Sequence, residues 1–137
     1  MPRLAFDDAN LLIFSGEDRL RFIDGLSSNK IDFNSTDVIN TLVLTTKAKI
    51  MAQLHLFMLN EMLISITISG DHVKLVNYLN SKILTQQVAI SDVTTLNYID
   101  LVYGENTDTV GVTVSEGLTK VNVNGNYGFE IYSVKQN

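Results

Sequence analysis

The 137-residue sequence has no cysteine, no tryptophan and only two histidines. A chain without cysteine has no disulfide, no zinc–thiolate site, no thiolate-held iron–sulfur cluster and no cysteine nucleophile. The two histidines, His55 and His72, are a sparse set for a metal site, and neither has a carboxylate at helical ligand spacing. We therefore expect structural roles for both histidines and no bound metal.

Proline, long apolar runs and excess positive charge are also missing. Proline occurs only at Pro2, and no apolar run approaches the ~20 residues that a membrane-spanning helix needs. The N-terminus turns acidic at Asp7, where the apolar core of a secretory signal would begin, so we expect a cytoplasmic protein. The formal net charge of −5 leaves no basic footprint, and we expect neither a nucleic-acid nor a membrane partner.

The composition is that of an ordinary globular protein, with 45% hydrophobic and 18% charged residues. The length favours one principal core, which we assign to an α+β domain over residues 1–103. The composition shifts at residue 104, and residues 104–137 hold five of the eight glycines. We predict that this segment is a short β appendage on the same core, because it is too small to fold alone.

Hydrophobic periodicity predicts helices over residues 17–26 and 71–84, the first capped by Ser15. The predicted strands are residues 10–14, 38–45, 50–59, 62–68, 87–91 and 98–103. Both faces of the strand at 50–59 are apolar, which indicates an interior strand that is covered on both sides. The expected fold class is α+β, a mostly antiparallel sheet with two main helices (a ferredoxin-like elaboration) and a C-terminal β-hairpin appendage.

No common catalytic or nucleotide-binding motif occurs, since GxSxG, SxxK, the Walker loop and GxGxxG are all missing. Two local clusters remain. Lys47 and Lys49 flank Ala48 in a basic turn that is either a solvated hairpin tip or an anion site built from two ammonium groups and free turn amides. Residues 125–130 (GNYGFE) indicate a tight turn into the last strand, and composition alone favours a plain hairpin.

Several segments, taken in chain order, resemble the glycine-cleavage T-protein superfamily. They are IFSGEDRLRFIDGLSSN (residues 13–29), LVLTTKAKIMAQLHL (42–56), the helix and strand ending in VAISD (75–93) and NGNYGFEI (124–131). That superfamily includes aminomethyltransferases and YgfZ-type folate-binding proteins linked to iron–sulfur protein maintenance. The resemblance extends over the family's first domain and an abbreviated second domain, without a counterpart of its third, barrel domain.

The resemblance implies a tetrahydrofolate-type ligand, but the family's catalytic aspartate aligns with Ala52 and Gln53. Alanine has no proton to exchange and glutamine does not titrate, so the acid–base role has no occupant. The family's pterin-contacting glutamate aligns with Asn126, which is uncharged. Asn29 matches the asparagine of the family's TND phrase, and Lys30 replaces its aspartate.

These observations lead to a first hypothesis, a non-catalytic protein that binds folate or a folate-like small molecule. Its predicted binding residues are Asn29, Lys30, Lys47, Lys49 and Asn126. The alternative is a ligand-free structural or interaction module that self-associates as a homo-oligomer. An active aminomethyltransferase is the third hypothesis, which Ala52 and Gln53 disfavour.

Overall fold

The computed structural model describes residues 3–5, 9–28, 30–31, 38–59, 62–68, 72–94, 97–103, 111–115, 118–123 and 127–133. Within them the elements in chain order are β1 (Arg3–Ala5), β2 (Ala9–Ser15), α1 (Arg19–Leu26), β3 (Ile39–Leu44), β4 (Ile50–Leu59), β5 (Met62–Ile68), α2 (His72–Ser81), β6 (Ala89–Asp92), β7 (Asn97–Tyr103), β8 (Gly111–Ser115), β9 (Leu118–Asn122) and β10 (Tyr127–Ser133). Both helices of this described part of the chain are too short to cross a bilayer.

The strands form two five-stranded sheets. The central sheet has the order β3-β4-β5-β2-β6, and the second sheet has the order β1-β7-β10-β9-β8. Neighbouring strands pair antiparallel in both sheets. The α+β fold class predicted from the sequence, a mostly antiparallel sheet with two helices, is therefore confirmed.

The central sheet lies between the two helices and the second sheet. Leu54 and Leu56 of β4 belong to the apolar cluster that includes Phe22 of α1 and Leu79 of α2. Phe57, which is on the opposite face of β4, belongs to a second cluster shared with the other sheet. This alternation buries both faces of β4, so the predicted interior strand is confirmed.

Both helices are shorter than predicted. α1 begins after Asp18, and Ser15 does not cap it, because Ser15 is the last residue of β2 and its hydroxyl donates to the carbonyl of Ala89. α2 ends at Ser81 and not at Leu84. The side-chain carbonyl of Gln86 accepts the amides of Leu84 (2.7 Å) and Thr85 (3.2 Å), which stops the helical hydrogen-bond pattern.

The C-terminal strands complete the second sheet. β8 and β9 form an antiparallel hairpin, and β10 pairs with β9 on one side and with β7 on the other. The register with β7 extends from Tyr127 opposite Tyr103 to Ser133 opposite Asn97. The C-terminal hairpin is as expected, whereas the division of the chain at residue 103 stays a prediction.

Candidate functional site

The basic turn joins β3 to β4 and is organised by Thr45. The Thr45 hydroxyl accepts the amides of Lys47 (3.3 Å) and Lys49 (3.2 Å). The carbonyl of Thr45 accepts the amide of Ala48 at 2.9 Å, and the Thr45 amide donates to the Lys49 carbonyl at 2.7 Å. Ala48 has a φ of 60°, in the left-handed region that a tight turn requires. The turn is therefore a closed, hydrogen-bonded loop.

The expectation of free turn amides is wrong, because Thr45 uses the amides of Lys47, Ala48 and Lys49. The side chains of Lys47 and Lys49 are exposed, and neither forms an ion pair with a residue that the structure describes. The charged groups of the turn that attract an anion are thus the two ammonium groups. A flexible anionic ligand would meet two point charges here and no backbone cradle.

Tyr78 of α2 contacts the end of β3, and Lys82, which follows α2, packs over the Tyr78 ring. The Tyr78 hydroxyl donates to the carbonyl of Leu44 at 3.0 Å, which ties α2 to the end of β3. The Lys82 ammonium lies 5.3 Å from the centroid of the Tyr78 ring, within cation–π range. Sequence reasoning missed both residues, although their four-residue spacing places them on one face of the helix predicted over residues 71–84.

The segment that carries Lys30 is anchored to the other edge of β3. The amide of Ser28 donates to the Leu42 carbonyl (2.8 Å), and the Leu42 amide donates back to the Ser28 hydroxyl (3.3 Å). The amide of Ile31 donates to a carboxylate oxygen of Asp24 at 2.9 Å. Lys30, between these anchors, is exposed. β3 therefore connects the surroundings of Lys30 with the basic turn.

Two of the five predicted binding residues, Asn29 and Asn126, lie outside the described residues. The structure places Lys30, Lys47 and Lys49 on loops at the ends of α1 and β3. The grouping of all five residues around one ligand stays a prediction.

Ala52 and Gln53, which the sequence resemblance aligns with a catalytic aspartate, lie on β4. Ala52 is 9% exposed and packs in the helix-side cluster, while Gln53 is exposed and pairs with Leu42 of β3. Within the described residues, no group of three or more histidine or acidic side chains is arranged to hold a metal.

His55 is buried between the two sheets. A hydrogen bond of 3.2 Å joins its Nε2 to the Tyr127 hydroxyl, and its ring makes a T-shaped contact with Phe129 at 5.2 Å. Burial penalises the imidazolium and lowers the pKa of His55 below its ordinary 6.5. This packing is consistent with the structural role expected of His55. The side chain of His72 lies outside the described part.

No protein-family model matches the sequence, and no curated protein matches it. Among solved structures, the fold is similar to the glycine cleavage system aminomethyltransferase T from Bartonella henselae, with a TM-score of 0.73 and 12% identity. The match covers 94% of this chain and 40% of that enzyme, so the chain spans less than half of the enzyme's length. At this identity the likeness shows a T-protein-like fold.

Proposed function

We propose that this chain, with its T-protein-like fold, is a non-catalytic protein that binds a folate or a folate-like small molecule. The observation that carries the proposal is the pair of exposed ammonium groups of Lys47 and Lys49 on one hydrogen-bonded turn of that fold, neither of them in an ion pair with a described residue. The resemblance in sequence order supports the same ligand class, with tetrahydrofolate as the first candidate.

The charge balance of the molecule permits this assignment. The net charge of −5 repels an anion at long range, but salt screens that field within about 8 Å. Inside this distance Lys47 and Lys49 attract the carboxylates of a folate's glutamyl tail. The polar ring would then face Asn29 and Asn126, with Lys30 adding a third positive charge. The charges of Lys47 and Lys49 suit the carboxylates of the glutamyl tail, and the contacts of Asn29 and Asn126 with the ring are proposed.

The proposal that the protein is not catalytic is based on two residues of β4, Ala52 and Gln53. A carboxylate is needed at or beside Ala52 to exchange a proton with the ligand, and the chain offers alanine and glutamine there. Ala52 is also packed in the core. The proposed function is therefore binding without turnover.

The test is thermal unfolding with and without tetrahydrofolate, in its mono- and polyglutamylated forms. A ligand that binds only the folded state stabilises it by about 2.7 kcal/mol at a hundredfold excess over its Kd. The double variant Lys47→Glu/Lys49→Glu should lose this stabilisation. Its melting temperature without ligand should stay close to that of the wild type, because exposed turn lysines contribute little to folding.

Lys74→Glu is the matched control for each single reversal, since it changes the charge equally on the exposed side of α2. It should retain the ligand-induced shift, whereas Lys47→Glu and Lys49→Glu should each reduce it. Unaltered folate binding by the double variant would refute the assigned site. Failure of the wild type to bind any reduced folate at millimolar concentration would favour the self-associating module, which sedimentation at increasing protein concentration detects.

A further inference from the structure

A cleft of about 510 Å³ lies between α1 and the segment that follows α2. Phe22, Gly25 and Leu26 of α1 line one side. Lys82, Thr85 and Gln86 line the other side, and Asp18 and Arg21 complete the lining. An apolar wall beside polar and charged groups is the usual composition of a small-molecule site.

Hydrogen bonds hold the two walls together. The Asp18 amide donates to the Gln87 carbonyl at 3.1 Å, and the Gln87 amide donates to a carboxylate oxygen of Asp18 at 2.8 Å. The hydrogen bond from the Gln87 amide lowers the pKa of Asp18 below its usual range, and the hydrogen bond from Arg21 has a smaller effect in the same direction. The side chain of Gln86 fixes the preceding turn by accepting two amides. The cleft is therefore formed before any ligand arrives.

Gly25 lines the cleft and has open space where a side chain would begin. A Cβ atom built at Gly25 meets no heavy atom within 4 Å, and the residue does not have a positive φ. Neither backbone strain nor close packing requires glycine here, although glycine is among the least favourable residues inside a helix. The structural consequence of the missing side chain is free space against the helix.

The charges that line the cleft sum to +1 in a protein of net charge −5, since the lining contains one anion, Asp18, and two cations, Arg21 and Lys82. Arg21 donates through Nη2 to Asp18 and has further N–H groups to offer. The Lys82 ammonium rests over the Tyr78 ring, and no carboxylate of the described residues pairs with it. The cleft thus offers a positive group beside an apolar wall.

We propose that this cleft binds a small amphipathic anion. The flat apolar body lies against Phe22, Gly25 and Leu26, and its carboxylate or phosphate group meets Lys82 and Arg21. Benzoate and phenyl phosphate are the simplest probes, and they distinguish the two kinds of anionic group. The proposal does not depend on folate binding at the basic turn.

The test is a titration of the ¹⁵N-labelled protein with each probe, followed by amide chemical shifts. Saturable shifts are expected at Gly25, Leu26, Lys82 and Thr85 with at least one of the two anions. Gly25→Leu fills the open space and should abolish binding while melting at or above the wild-type temperature, because leucine is the better helix former. Lys82→Gln should raise the Kd by at least about fivefold, which corresponds to roughly 1 kcal/mol.

Two variants and two further probes serve as controls. Lys74→Gln removes the same charge from α2 outside the cleft and should leave the Kd within about twofold. The Lys47→Glu/Lys49→Glu variant should also retain binding, which separates this result from that of the folate experiment. The proposal is overturned if benzyl alcohol or inorganic phosphate binds as tightly as the aromatic anions, if Gly25→Leu binds normally, or if neither anion produces saturable shifts in the cleft.

Discussion

Buried polar atoms without a hydrogen-bond partner are concentrated, within the described residues, on the three inner strands of the central sheet. Four of the five such atoms belong to β2, β4 and β5: Asn10 Nδ2, His55 Nδ1, Ser65 Oγ and Thr67 Oγ1. Each such group on Asn10, Ser65 and Thr67 costs about 1–3 kcal/mol of desolvation, whereas a backbone hydrogen bond with Ile66 partly offsets the burial of the His55 ring. The centre of the fold is therefore less stable than its apolar packing alone would make it, and His55 makes that stability depend on pH.

Protonation of His55 should destabilise the protein between pH 7.5 and 5.5. The pKa of His55 is lowered in the folded state, so the unfolded chain binds more protons once the pH falls below about 6.5. Stability is complete above that pH and decreases as the pH falls toward the folded-state pKa. Linkage limits the loss at pH 5.5 to about 1.4 kcal/mol. Urea unfolding at the two pH values measures it.

His55→Phe is the matching variant, because it keeps an aromatic ring in the core and removes the titrating group. Its free energy of unfolding should change less between pH 7.5 and 5.5 than that of the wild type. His72→Gln, which removes the other histidine, should keep the wild-type dependence. An equal pH dependence in the wild type and His55→Phe would contradict the assignment.

Among the elements, β4 depends most on its place inside the fold. Its residues alternate between the helix-side core and the face toward the second sheet, where Gln53 at the outer end is exposed. The basic turn before β4 is closed by the hydroxyl of Thr45, so its lysines project from a rigid loop. One part of β4 thus packs in the core of the molecule, and its first residues adjoin the basic turn, where we propose that folate binds.

Leu54→Asp should lower the free energy of unfolding by several kcal/mol. Leu54 is fully buried on the helix-facing side of β4, and an aspartate there would be an unpaired charge in an apolar cluster. Gln53→Asp is the adjacent control on the exposed side and should change stability by roughly 0.5 kcal/mol or less. Urea unfolding compares the two variants, and similar losses in both would show that β4 is not covered as described.

The described part of the molecule has three layers: two helices, the central sheet and a second sheet that joins the first described strand to the last four. This arrangement matches 40% of the length of the Bartonella henselae aminomethyltransferase, at 12% identity. The remaining part of that enzyme has no counterpart in the match. A similar fold at 12% identity does not establish the activity, which depends on the residues that this chain has at the site.

We expect no aminomethyl transfer from this chain. The reason is that positions 52 and 53 hold alanine and glutamine, whereas the T-protein superfamily, which the sequence resembles, has a catalytic aspartate at the aligned position. The measurement is tetrahydrofolate-dependent release of ammonia from an aminomethylated carrier protein, with the Bartonella henselae enzyme as positive control. Ammonia release above that of a reaction without protein would refute this expectation.

The sequence by itself determined the two helices, the strands between residues 10 and 103 and that β4 is an interior strand, but it did not predict β1. These features depend on side chains two to four residues apart, whose periodicity is visible in the chain. The absence of cysteine and of a carboxylate at position 52 or 53 likewise needed no structure.

Only the tertiary structure decided where the helices end, which amides are free and which groups line a cleft. Asp18 meets Gln87 across 69 residues, and Leu11 donates to the Thr94 hydroxyl across 83. The Tyr78 hydroxyl donates to the Leu44 carbonyl across 34 residues, and the Lys82 ammonium lies over the Tyr78 ring. Such contacts depend on how the sheets and helices pack, because hydrogen bonds join whichever groups the fold brings within about 3 Å. The spacing of neighbouring residues in the sequence does not predict these long-range contacts.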